Sequence, residues 1–338
     1  MNKLARLRPD NFTLALIATV IAATILPCRG WARPLFDDLT YAAIALLFFL
    51  HGAKLSREAV LAGMGHWRLH LTVLASTFVL FPALGLLVRL APAGLVSPMI
   101  ASGVLFLCLL PSTVQSSIAF TSIAGGNVPA AVCSASASNL IGIFLTPLLV
   151  ATFMGVHGKG GGELGAVESV ALQLLVPFLA GHFSRPLIGR WVDRHKPVLG
   201  MVDRSSILLV VYSAFSAAVV QGLWHKLSVE DLLAVVVIDG VVLALALLIT
   251  ARAARLLGFS RPDEITLVFC GSKKSLASGV PMAGVLFPAA VVGPMIVPLM
   301  LFHQIQLMVC AVLARRYAAH APKLAPTAAK NTLTEAQA

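Results

Sequence analysis

Charge is what this sequence has least of. Only 12% of its 338 residues are Asp, Glu, Lys or Arg, whereas about one-quarter of a soluble domain is charged. That shortage excludes a soluble domain, which needs polar surface. Cysteine is scarce too, and Cys28, Cys108, Cys133, Cys270 and Cys310 show no C-x-x-C spacing. A disulfide framework is therefore excluded, and the five read as small buried hydrophobes. The nine histidines form no H-E-x-x-H, and the glycine-rich GVHGKGGGELG at 155–165 lacks the Lys-Ser/Thr of a phosphate loop, so it reads as a linker. Aromatic residues are sparse, at 7%, and few lie near the proline- and glycine-marked breaks in sequence, so an aromatic cage is not expected. No nucleophile and base fall at one depth, which ranks an intramembrane enzyme last.

What is abundant is hydrocarbon: 58% of residues are hydrophobic and the mean hydropathy is +0.91. A helix needs about 20 apolar residues to cross roughly 30 Å of bilayer core, and such stretches recur along almost the whole chain. Apolar runs and breakers together give ten spans at 12–28, 38–54, 69–90, 98–122, 128–154, 167–183, 203–222, 230–251, 264–285 and 292–314. The fold class expected is all-α and polytopic, with the lipid bilayer as solvent. The amino end, MNKLARLRPDN and an apolar run to Pro27, resembles a signal peptide, and Leu26-Pro27-Cys28 resembles a lipoprotein cleavage site. Proline before the cysteine argues against cleavage, so this is read as a retained first span.

The net charge of +11 does not point to nucleic acid, because the basic residues sit in short gaps between apolar runs and not in one stripe. They report orientation instead. With a cytoplasmic amino end, 18 of the 25 Lys and Arg fall on the cytoplasmic side: Lys3, Arg6 and Arg8; Lys54, Arg57 and Arg68; Arg185, Arg190, Arg194, Lys196 and Arg204; Arg252, Arg255 and Arg261; Arg315, Arg316, Lys323 and Lys330. Only Arg29, Arg33, Arg89, Lys159 and Lys226 fall opposite, with Lys273 and Lys274 left inside a span. This asymmetry predicts an inner-membrane protein with both termini cytoplasmic. The alanine-rich segment 317–338 reads as a flexible tail.

Ten spans suggest a five-plus-five duplication, a common way to build an alternating-access transporter. The expected division is a first inverted repeat over 1–156 and a second over 157–316. The halves echo each other: LTPLLV (145–150) in span five against VPLMLF (297–302) in span ten, and SSIAFTSIAGGNVPAAV (116–132) against SKKSLASGVPMAGVLFP (272–288). Spans four and nine also read as broken. Pro111 lacks the amide proton a continuing helix needs, and six of the next eleven residues carry hydroxyls. In span nine Gly271 permits unwinding, and Lys273 and Lys274 sit near membrane depth. A lysine at the helix centre costs roughly 2.5–3.5 kcal/mol on insertion scales, so such a residue is expected to face a cavity or a partner. Broken helices in a membrane are expected to line a cavity, because their freed backbone groups need partners. Asp239, mid-span in AVVVIDGVVLAL, needs a partner for the same reason, either a span-nine lysine or a proton relay. His51, His182 and His303, near span ends, read as structural.

These residues resemble the bile acid:sodium symporter family, and more closely its SBF-like branch. The likeness covers nearly the whole chain. It is carried by ALLFFLHGAKLS (45–56), FPALGLLVRL (81–90), AGGNV (124–128), DRSSILLVVYSAFSAAVV (203–220), GSKKSLASGVPM (271–282) and LFHQIQL (301–307). The resemblance implies ten helices in two inverted repeats. Spans 1, 2, 6 and 7 would form a panel, and the others a core in which broken spans four and nine cross. The residues and the resemblance together give candidate substrate contacts at Pro111, Ser116, Ser117, Asn139, Lys273, Lys274 and Ser275, the two lysines from their membrane depth and not from the family pattern, and candidate ion-binding oxygens at Thr77, Ser134, Ser136, Ser138 and Ser272. One part of the pattern is missing. Where the family has a glutamate and glutamine on span nine, this chain has Phe269, Cys270, Gly271, Ser272, Lys273 and Lys274. The expectation is a symporter of a small organic anion with no cofactor, coupled to sodium or to protons, in which a span-nine lysine supplies the positive charge that sodium supplies elsewhere. The alternative is a regulatory protein of the same fold, affecting ion homeostasis and distinguished by the absence of saturable uptake.

Overall fold

The computed structural model describes residues 11–54, 64–90, 96–155, 171–226 and 228–320. Lys3, Arg6, Arg8, Arg57, Lys159, Lys323 and Lys330, most of the GVHGKGGGELG stretch and the tail after His320 lie outside them, as does the side chain of Lys226. Every regular element among the described residues is helical.

The helices are α1 (Asn11–Ile25), α2 (Ala32–Lys54), α3 (Trp67–Arg89), α4 (Pro98–Leu109), α5 (Gln115–Ile123), α6 (Val128–Met154), α7 (Val176–Arg194), α8 (Lys196–Val220), α9 (Val229–Leu256), α10 (Arg261–Gly271), α11 (Leu276–Leu286) and α12 (Ala289–Ala319). Six of them, α2, α3, α6, α8, α9 and α12, are long and apolar enough to cross a membrane. Large apolar side chains such as Leu187, Leu256, Trp31 and Leu90 face outward along the bundle, which suits hydrocarbon and not water.

Starts are written locally. Ser97, Asn127, Ser228, Ser260 and Ser275 each accept an amide hydrogen from the first turn of α4, α6, α9, α10 and α11. Proline follows within two positions at α4, α6 and α10, where its missing N–H costs nothing. Ser228 and Asp231 complete a reciprocal capping box on α9.

Several boundaries differ from the hydropathy reading. The sixth span was expected to end at 183, but α7 continues to Arg194, and α8 begins at Lys196, seven residues before the expected start of the seventh. Hydropathy marks where the apolar surface ends, whereas the backbone ladder continues through charged residues. Arg185, Arg190, Arg194 and Arg204 are consequently helical residues and not loop residues. Likewise α12 runs to Ala319, so the segment read as tail from 317 starts inside a helix, with Tyr317 packed edge-on to Phe269 and under the Arg261 guanidinium.

Helices α1, α2, α7 and α8 pack on one another, and α8 also meets α11 and α12 of the remaining group. The α2–α7 contact is the tightest. A β-carbon on Gly52 would run into the Phe178 carbonyl, and one on Gly181 into the Phe49 carbonyl. These two glycines face each other's backbones, the small-residue packing that holds helices together in lipid. Gly52→Val and Gly181→Val are each expected to cost at least about 1–3 kcal/mol, read as a lower melting temperature of the detergent-purified protein. Gly240→Ala, where a β-carbon meets open space in α9, is expected to be neutral or stabilising by less than about 1 kcal/mol.

Candidate functional site

Both expected breaks are present. The backbone is non-helical from Leu110 to Val114, between α4 and α5, and from Ser272 to Ser275, between α10 and α11. The breaks lie against each other: the Ser275 amide donates to the Pro111 carbonyl at 2.9 Å.

Breaking a helix orphans the carbonyls of its last turn, and in a membrane interior each must find a donor. At the first break the partners come from two other segments, the second break and α6. The Cys108 and Leu110 carbonyls accept from the Lys274 ammonium at 2.8 and 2.6 Å. Leu109 accepts from Thr146 at 2.9 Å, Pro111 from the Ser275 amide, and Ser112 from the Asn139 amide group at 2.6 Å. The Ser112 amide itself donates to Ser138 Oγ at 3.0 Å.

The second break is satisfied the same way. Ser272 Oγ donates to Val268 at 2.5 Å, Ser117 Oγ to Phe269 at 2.9 Å, Ser112 Oγ to Cys270 at 2.5 Å and Ser76 Oγ to Gly271 at 2.7 Å. Gln306 on α12 clamps the backbone of Lys274 from both sides, its side-chain oxygen accepting from the amide and its nitrogen donating to the carbonyl, each at 3.0 Å.

Helix α3 contributes a further orphan. Its middle widens to a π turn at Ser76–Leu80, so that the Phe81 amide bonds Ser76. In that register the Thr77 carbonyl would pair with residue 82, which is proline and has no N–H. It accepts instead from the Lys274 ammonium at 2.8 Å. That ammonium, fully buried, thus serves three carbonyls on two helices and lies 4.3 Å from the centre of the Phe81 ring. Lys273 is equally buried but differently placed: its Nζ has no hydrogen-bond partner and sits 4.1 Å over the Phe120 ring.

In front of the two breaks lies a cavity of about 460 Å3, within the range of small-molecule sites. Ser116, Ser136, Asn139, Ser275 and Ser278 line its core side. The opposite wall comes from α2, α7 and α8 and carries His51, Lys54, Asp203 and Arg204. Lys54 and Asp203 form an ion pair, and Arg204 stacks over Phe12 at 5.8 Å. His51 Nδ1 lies 2.7 Å from the Leu47 carbonyl, which can only accept, so Nε2 is the ring nitrogen left for another partner.

The sequence-derived candidates separate accordingly. Ser116, Ser136, Asn139 and Ser275 are on the cavity. Pro111, Ser117, Ser138, Ser272, Lys273, Lys274 and Thr77 do not line it and lie around the two breaks behind its wall. Ser134 bonds His70 at 2.7 Å and is not on the cavity. Asp239 is fully buried and its carboxylate oxygens have no hydrogen-bond partner. No ion pair joins it to Lys273 or Lys274 among the described residues: the Lys274 ammonium is taken up by carbonyls, and the Lys273 ammonium sits over the Phe120 ring. His51 and His303, expected to be structural, both reach the cavity, whereas His182 stacks on Phe178.

Sequence reasoning missed Lys54, Asp203 and Arg204, which had been counted only as orientation charges or not at all, and the clamps Ser76, Ser112 and Gln306. The signal for several was present in the motifs LHGAK, DRSS and LFHQIQL, where polar residues interrupt apolar runs.

The profile of the SBF-like CPA transporter family matches residues 10–319. The chain is 64% identical over 313 residues to "Uncharacterized protein PA2026" of Pseudomonas aeruginosa, covering 93% of this chain and 94% of that one. It is 62% identical over 308 residues to "Putative symporter YfeH" of Escherichia coli K12, covering 91% and 92%. A more distant relative is sodium/bile acid cotransporter 7 of Danio rerio, 28% identical over 324 residues, covering 93% and 95%.

Gln306→Leu is expected to leave both backbone groups of Lys274 unpaired, at about 1–3 kcal/mol each, seen as a large drop in melting temperature in detergent. Ser184→Ala, on an exposed face where the hydroxyl only bonds its own helix at Ala180, should stay within about 0.5 kcal/mol.

Proposed function

The chain belongs to the SBF-like CPA transporter family, and from that premise we propose that it is a symporter-like secondary transporter of a small organic anion. It is a multi-pass membrane protein and not an enzyme. The observation that carries the reading is the cavity between the crossed breaks and the α2–α7–α8 wall, where Lys54 and Arg204 stand against one carboxylate, Asp203.

Each side of the cavity suits a different part of such a solute. Arg204 offers a planar, permanently charged fork for a carboxylate, sulfonate or phosphate. Lys54 is already paired with Asp203, so its charge orients and Arg204 attracts. Ser116, Ser136, Ser275 and Asn139 supply neutral hydrogen bonds from the break side, while Leu140, Ile143, Phe178 and Ile207 supply apolar surface.

Alternating access follows from the two helix groups. In this proposal α1, α2, α7 and α8 form the panel, the other helices the core, and the two breaks are the corresponding centres of inverted repeats over 1–156 and 157–316, ten spans in all. That both breaks have carbonyls satisfied by side chains of other segments supports that duplication. Both termini are cytoplasmic in this arrangement, so the cavity, which touches Phe12 near the start of α1 and Lys54 at the end of α2, opens to the cytoplasm. A sodium or proton gradient supplies the driving force, a reading favoured by the sodium cotransporter name of the 28% identical relatives.

Purified protein in liposomes, offered a panel of organic anions under imposed sodium and proton gradients, is expected to show saturable uptake of at least one of them. Arg204→Gln should raise the half-saturating concentration about tenfold or more, as expected for losing a charge-assisted hydrogen bond worth roughly 1.5–3 kcal/mol. Absence of saturable uptake across the panel, or uptake indifferent to Arg204, would sink the reading.

A further inference from the structure

We infer that Lys274 is a tethered cation: its ammonium fills a main-chain carbonyl cage at the crossover that would otherwise suit a free monovalent cation, so no sodium ion binds there. The inference deepens the transport reading and rests on it for what it says about coupling.

The cage has three walls. Thr77 contributes a carbonyl from α3, because Pro82 cannot serve it; Cys108 and Leu110 contribute two from the end of α4, because the break at Pro111 removes their amide partners. All three point at Nζ, at 2.8, 2.8 and 2.6 Å, and the Phe81 ring lies 4.3 Å away. Neutral carbonyl oxygens converging from unwound backbone are how proteins replace the hydration shell of a monovalent cation.

Three acceptors require three donors. Only the ammonium has three N–H groups and no lone pair; the neutral amine would turn a lone pair toward one carbonyl. The geometry of the cage therefore suits the charged form of the lysine. That charge is not free to leave, since Gln306 fixes the Lys274 backbone on both sides. Nor does the solute touch it, since Lys274 is fully buried and does not line the cavity. The lysine holds α3, α4 and the second break together as a bound ion would, but permanently. A sodium ion placed about 4 Å from the ammonium would lose roughly three powers of ten in affinity at an effective dielectric near 20. Coupling, on this account, does not run through ion binding at the crossover.

The test uses the full chain in detergent, unsubstituted and as Lys274→Ala and Lys274→Met, melted in sodium, potassium, ethylammonium or choline chloride at equal ionic strength. The unsubstituted protein is expected to melt at the same temperature in all four. The variants should melt several degrees lower in choline chloride and be raised saturably by at least one of the small cations, which enter the vacated cage. Variants that respond to every salt as the unsubstituted protein does overturn the inference. A second readout needs no variant: Lys274 should resist reductive methylation equally with and without sodium, whereas sodium-dependent labelling overturns the cage. Neither readout requires a transported solute. Failure here leaves the transport reading standing, and absence of uptake in liposomes leaves the cage standing.

Discussion

The structure depends on satisfying the carbonyls that two helix breaks set free in the middle of a membrane protein. In water an unwound turn is solvated at little cost, but in the bilayer interior each orphan carbonyl must be given a donor from elsewhere in the chain. Between Cys108 and Ser112, and again between Val268 and Gly271, those donors are supplied by Thr146, Asn139, Lys274, Ser272, Ser117, Ser112 and Ser76. These groups lie on α3, α5, α6 and the breaks themselves. The hydroxyl-rich sequence of the crossover is thus needed for folding before it is needed for binding.

The same constraint divides the charged residues into two sets. Lys273 and Lys274 are fully buried behind the cavity wall, one over an aromatic face and one in carbonyls. Lys54 and Arg204 keep part of their side chains at the cavity, where a solute's charge can reach them. A buried lysine reads as functional from sequence because its cost demands a reason, but the reason can be internal. At Lys274 it is the geometry of three acceptors.

Packing links these two features to motion. Gly52 and Gly181 bring α2 and α7 into backbone contact, which makes the wall bearing Lys54 and His51 a stiff unit. The break side is stiffened by the carbonyl network. The cavity lies between two such units, with α8 adjoining both, so relative displacement of the units is the movement that would change its access.

Composition and the position of breakers alone were enough to establish an all-helical membrane protein and to place both breaks near Pro111 and Gly271; of the ten spans they suggested, six are long apolar helices in the structure. Those properties are local: a run of about 20 apolar residues, or a proline without its amide proton, acts the same way whatever surrounds it. The motifs also carried the family. Only the tertiary structure decided that Ser116, Ser136, Asn139 and Ser275 share a cavity, that Lys273 and Lys274 do not, and that Arg204, at least 65 residues in sequence from each of the break-side four, faces them. Such roles are set by which helix faces meet, and a charge on an apolar helix looks the same in sequence whether it turns to solvent, to a cavity or to an orphan carbonyl.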